Sequence, residues 1–180
     1  MTTRHVAFLR ALNVGGHTVK MGRPRSICTD AGLAGVETVI ASGNILFEPD
    51  HRSQATIESL LESALRDALG YEVTTFVRTA AELADLVKVN PYSGVALTGK
   101  GSVGVGFFRA PPPAGTIEAA RAESTPVDTL DVIGRELWWC AREGQGRPSI
   151  SDAAWRRMQL PHMTIRNLTT VARLATKAAA

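Results

Sequence analysis

The residues of this chain best suited to hold an anion lie in the run RALNVGGHTVKMG, from Arg10 to Gly22. An arginine guanidinium keeps its charge and offers its donors in a planar fork. Asn13 adds a short amide, and N–H groups at a Gly-rich turn such as Gly15-Gly16 can cradle an anion. An apolar strand, His5 to Leu12, leads into this run, and its alternation puts Arg10 on the same face as Val6 and Phe8. A buried guanidinium requires a negative partner. That partner is either a ligand carboxylate or phosphate or an internal carboxylate, unless the strand end is exposed. The two glycines, taken alone, read equally well as a turn that needs positive φ.

Two further places carry matching chemistry. The tip Ser42-Gly43-Asn44 joins two apolar runs, and the Asn44 amide can both donate and accept. Arg166 and Asn167 stand where the last helix is expected to open, placing a cation beside free N–H groups. Ordinary capping by Asn167 explains that pair as well. The run GKGSVG, Gly99 to Gly104, matches G-x-G-x-x-G but leads into a strand instead of opening a helix, so it is no dinucleotide site. The histidines His5, His17, His51 and His162 show no metal-ligand spacing, and no cofactor is expected.

These residues need a framework to position them. The first strand is apolar on both faces, as in a strand covered on two sides. A short helix is expected from about Pro24 to Ala31, with Gly32 as its stop. VETVIA and NILFE flank the Ser42-Gly43 link as a hairpin. Ile57, Leu60, Leu61, Ala64, Leu65 and Ala68 recur at helical spacing, between an N-cap at Ser53 and an αL stop at Gly70. VTTFVR is the next strand. The order is βαββαβ, the ferredoxin-like plait.

After it, Thr79 and Glu82 have capping-box spacing for another helix. VGVGFF, VDTLDVI and ELWWCA read as strands, and the chain ends in helices over Ser151–Gln159 and about Asn167–Lys177. The second half therefore reads αβαββαα. It echoes the first in pattern, with no internal sequence repeat apparent. The expectation is an α+β fold: a ferredoxin-like half over 1–78 and a second, partly similar half over 79–180. The two would pack as one compact unit and cover each other's sheets.

The chain has 180 residues, 44% of them hydrophobic and 21% charged, with a formal net charge of +3. That is the composition of a globular protein, without the long basic footprint of a nucleic-acid binder. No RNP1 pattern accompanies the plait, and Trp138 and Trp139 point to opposite faces as core residues. Cys28 and Cys140 are too far apart in sequence to form a motif and read as small buried residues. With no membrane-length apolar run and no export signal, a cytoplasmic setting is expected.

Four stretches, LRALNVGGHTVKM, VIASGNILFE, FVRTAAELADLVKVNPY and MTIRNLTTVARL, together resemble the bacterial family called domain of unknown function 1697. The resemblance implies ferredoxin-like halves and no established activity. The family usually carries an aromatic residue where Leu168 stands, and often a tyrosine and glutamine near Ile40 and Ala41. The expectation for function is binding of a small anionic or phosphate-bearing ligand by Arg10, Asn13, Gly15, Gly16, Ser42, Asn44, Arg166 and Asn167. The competing class is a nucleic-acid or protein interaction module without catalysis.

Overall fold

The computed structural model describes residues 4–13, 18–20, 22–39, 43–48, 51–143 and 149–180. Their elements run β1 (His5–Arg10), α1 (Gly22–Asp30), β2 (Glu37–Val39), β3 (Asn44–Phe47), α2 (Gln54–Leu69), β4 (Thr74–Thr79) and α3 (Ala80–Lys88). Then follow β5 (Ser102–Phe107), α4 (Ala114–Ala122), β6 (Asp128–Ile133), β7 (Glu136–Ala141), α5 (Asp152–Arg157), β8 (Thr164–Asn167) and α6 (Leu168–Ala179). The chain falls into two compact units, Met1–Leu86 with Ala172–Ala180, and Val87–Val171. No helix among the described residues is long and apolar enough to cross a membrane.

The first unit holds an antiparallel sheet in the order β2-β3-β1-β4, which is the ferredoxin-like arrangement. β1 is an interior strand, and Val6, Ala7, Phe8 and Leu9 are all buried. Ala7 and Leu9 pack with Ile45, Phe47 and Val77 against Ile27 of α1 and Ile57, Leu61 and Leu65 of α2. Burying each of those large side chains is worth about 1.5–3 kcal/mol. The opposite face, with Val6, Phe8, Leu46 and Phe76, is buried too, as a doubly apolar strand requires. α2 starts where Ser53 Oγ accepts the Thr56 N–H at 3.1 Å and stops at Gly70, whose φ is +82°.

Position 68 departs from the helical stripe. Ala68 is exposed, whereas Glu58 is buried and turned to the outer edge of β4. There the N–H groups of Thr75, Val77 and Thr79 donate to the carboxylates of Glu62, Glu58 and Glu82 at 2.8, 2.8 and 2.7 Å. Glu82 serves α3 as well. Its own N–H donates to Thr79 Oγ1 at 3.1 Å, completing the capping box.

The second unit departs from the αβαββαα reading. Thr164–Asn167 is a strand, β8, and the second sheet has four strands in the order β6-β7-β5-β8. Its elements, β5 to β8 with α4 and α5 between them, repeat βαββαβ with the same strand order as the first. The registers fix the correspondence residue by residue. Val6 pairs with Leu46 and Arg78, and Val105 pairs with Trp138 and Arg166. The Leu9 N–H donates to Gly43 O at 2.8 Å, and the Phe108 N–H donates to Arg135 O at 2.9 Å. HVAFLRA (5–11) thus stands opposite GVGFFRA (104–110), identical at Val, Phe, Arg and Ala. A short internal repeat exists, and strand register exposes it.

On the outer edge of β6, side chains again take the backbone donors. Thr125 Oγ1, Ser124 Oγ and Asp131 Oδ1 accept from the N–H groups of Asp128, Leu130 and Val132 at 2.9, 2.9 and 2.8 Å.

Candidate functional site

β1 ends in a built turn. Ala11 has φ +66°, a left-handed conformation uncommon outside glycine. The Tyr71 hydroxyl donates to Leu12 O at 2.8 Å, and Asn13 Oδ1 accepts the Val19 N–H at 2.8 Å. The side chain of Asn13 is therefore used to close the loop. Gly43, with φ +74°, lies against the end of the same strand, where a Cβ would meet Leu9 Cβ and O at 3.3 Å. The end of β1 and the hairpin tip are thus adjacent. Gly15, Gly16 and Ser42 lie outside the described residues, as do Ile40 and Ala41.

Of the alternatives open for Arg10, the structure shows the exposed strand end. The alternation rule puts it beside Val6 and Phe8, yet it is exposed, because the strand runs out of its cover at this residue. Burial therefore forces no internal partner on it, and among the described residues no hydrogen bond or ion pair joins its side chain to another. Asn44 is fully buried, and its Nδ2 donates to Val39 O at 3.2 Å across the hairpin. A buried amide in that position fixes the β2–β3 turn.

Arg166 and Asn167 belong to the second unit, and they close β8 instead of opening the helix. Asn167 Oδ1 accepts the Thr169 N–H at 2.9 Å and the Thr169 hydroxyl at 2.7 Å, so it caps α6. Arg166 Nη1 donates to Thr164 Oγ1 at 2.9 Å and Ile165 O at 2.8 Å. Burial pulls its guanidinium down to about 10, still charged at neutral pH. Its counterpart Arg78 was not singled out from sequence. Arg78 is 1% exposed, and its Nη1 donates to the preceding carbonyl, Val77 O, at 2.9 Å, as Arg166 does. The signal was available: FVRT and TIRN both end a strand directly ahead of a helix.

The thiols offer no nucleophile. Cys28 and Cys140 are free and buried, and burial pushes Cys28 up to about 12. Among the described residues, no group of three His, Cys, Asp or Glu side chains could hold a metal ion.

Twin βαββαβ units and a strained, basic strand end define the class: an α+β protein of ferredoxin-like halves with no catalytic constellation among the described residues. The chain belongs to the family described as protein of unknown function (DUF1697), whose model matches residues 1–138. In fold it is similar to a solved structure, the conserved bacterial protein SP0830 from Streptococcus pneumoniae. The identity is 22%, the TM-score is 0.71, and 98% of each chain is covered. No curated protein matches this chain.

Proposed function

We propose that the strand end Arg10–Asn13 binds a small anionic or phosphate-bearing ligand in a cytoplasmic setting, with Arg10 as the charged contact. The observation that carries this reading is an exposed arginine, its side chain unengaged among the described residues, followed by a non-glycine residue held at positive φ. Backbone strain of this kind persists only where its surroundings enforce it, and it gathers at functional sites. Here the enforcement comes from Tyr71 on one side and the Asn13–Val19 bond on the other. A guanidinium on such a rigid base loses little freedom on meeting a carboxylate or phosphate, and charge-assisted bonds are the strong ones. Asn13, Asn44 and Asn167 act in this reading as supports, since their amide groups already serve internal bonds.

The test is a thermal-shift and calorimetric titration with inorganic phosphate and a panel of small phosphorylated compounds. The reading expects saturable binding in the native chain and its loss in Arg10→Ala, with the fold retained. Equal binding by both proteins would defeat it.

A further inference from the structure

Directly opposite Arg10, in the ladder between β1 and β4, stands Thr74. The amides of Thr75, Val77 and Thr79 point away from β1, towards the glutamates of α2 and α3. Thr74, Phe76 and Arg78 therefore bond to β1. Arg10 and Thr74 form a pair of the hydrogen-bonded type, with Cα atoms about 5.5 Å apart and side chains on one face. The next row on that face, Phe8 with Phe76, is fully buried, so the pair stands on a packed apolar floor.

Arg10 is exposed and Thr74 half-buried. Among the described residues no hydrogen bond takes the Thr74 hydroxyl. Its Oγ1 is not one of the buried polar atoms left without a partner, so it opens to solvent. Glu72, the nearest acidic residue along the chain, is drawn to Arg66 of α2 at 3.7 Å, and α2 packs on the opposite face of the sheet. The second unit does not build this pair, because its ladder between β5 and β8 ends at Phe107 and Thr164, short of Arg109.

Two donors of different shape thus share one open patch, the planar fork of a guanidinium and a single hydroxyl one strand away. An arginine side chain is longer than the gap between the strands, so both can reach one group. A carboxylate that pairs with the fork spends both oxygens in the guanidinium plane, and its lone pairs lie in that plane as well. A phosphate group spends two oxygens on the same fork and holds a third outside the plane. We propose that the pair selects a terminal phosphate group over a carboxylate, with Arg10 taking two oxygens and the Thr74 hydroxyl donating to a third. This rests on the assignment of Arg10 as the charged contact and adds Thr74 as the residue that sets the ligand class.

The experiment is calorimetric titration of the full chain with phenyl phosphate, inorganic phosphate and benzoate. Thr74→Val exchanges the hydroxyl for a methyl group of like shape. It should lower affinity for phenyl phosphate about tenfold, the effect of losing one hydrogen bond to a charged group, and leave benzoate unchanged. Thr74→Ser keeps the hydroxyl and should bind as the native chain does. An equal loss with inorganic phosphate assigns the site to the phosphate group itself, and a loss confined to phenyl phosphate assigns it to an ester. If Arg10→Ala abolishes binding while Thr74→Val treats phosphate and benzoate alike, or Thr74→Ser fails as Thr74→Val does, the selectivity is overturned and the Arg10 reading stands. If Arg10→Ala leaves the probes bound, or the native chain binds none of them, both fall.

Discussion

HVAFLRA and GVGFFRA occupy equivalent interior strands, are buried along the same four positions and end in the same Arg-Ala with the arginine exposed, yet the chain leaves them in different ways. After Arg10 it turns through a left-handed Ala11 into a loop tied by Tyr71 and Asn13. After Arg109 it meets three prolines, and α4 begins at Ala114. Proline at fixed φ stiffens a connector and removes its N–H groups, so Pro111, Pro112 and Pro113 offer an anion no backbone donor. A shared framework with diverged connections is the usual division between fold and function. The proposed anion site lies in the first unit's loop.

The comparison can be broken most severely at the position where the strands differ inside the core. Gly104→Ala would drive a methyl group into the Trp139 ring and should cost about 3 kcal/mol, the upper end for overpacking. At the equivalent position His5 sits edge-on to Phe47, with centroids 5.6 Å apart. His5→Ala should cost only about 1 kcal/mol. Chemical denaturation of the two variants gives the contrast, and equal losses would contradict the different packing of the two sheets.

The binding claim is sharper with the second arginine as control. Arg10→Ala should lower affinity for the phosphate probe about tenfold or more, the worth of a charge-assisted bond. Arg109→Ala should leave the binding isotherm unchanged. A comparable loss from both would move the site away from the first loop.

Ala11 and Ala110 should respond to glycine with opposite signs. Relief of the left-handed strain at Ala11 should offset glycine's entropic cost and stabilise the protein by up to about 1 kcal/mol. Ala110 is not among the positive-φ residues, so Ala110→Gly should destabilise by about 0.5–1 kcal/mol. Thermal melts of the pair decide it.

The smallest effect concerns an ion cluster at β2; the equivalent residue of β6, Asp131, meets Arg121 Nε at 2.6 Å. Glu37 Oε1 meets Lys177 Nζ at 2.5 Å and Oε2 meets Arg4 Nη1 at 2.9 Å, while Arg4 Nη2 donates to Lys177 O at 2.6 Å. Hydrogen bonding from Lys177, then from Arg4, lowers the Glu37 carboxyl below its ordinary value. A lowered folded pKa gives stability that is present above the unfolded value of about 4.3 and lost as pH falls through the folded one. Glu37→Gln should therefore flatten the acid limb of the stability curve below about pH 4.5, by less than about 1 kcal/mol at this half-exposed site. An unchanged limb would remove the cluster from the account.

Local signals read well from sequence where a single residue type meets a single backbone need. Ser53, Gly70 and the Thr79–Glu82 box fall where their chemistry places them. β8 escaped because it is four residues long, contains an arginine and passes into α6 without a separating turn. Asn167, a cap signal, drew the expected helix start onto the strand. The exposure of Arg10 stays open in the sequence for another reason: alternation reports which face a residue takes, and says nothing of where the cover above that face ends. The repeat stayed hidden because few identities survive and hydrogen-bond register, which aligns them, is a property of pairs of strands. Glu58 looked like one polar residue on a helix, and only its distance to the Val77 N–H reveals its use.

Two sheets of identical strand order in one polypeptide create a proofreading problem during folding. A strand from either half could add to the exposed border of the other, and exchange of equivalent elements is a known failure of repeated domains. The chain answers by occupying one border of each sheet, β4 in the first and β6 in the second, with its own side chains. Glu62, Glu58 and Glu82 hold alternate amides of β4, and Thr125, Ser124 and Asp131 hold those of β6. The groups that would recognise an intruding strand are already bonded, and they are bonded by different chemistry in the two halves. One border of each sheet is thereby closed to its twin while it forms, and it is a different border in the two halves, which works against their becoming interchangeable.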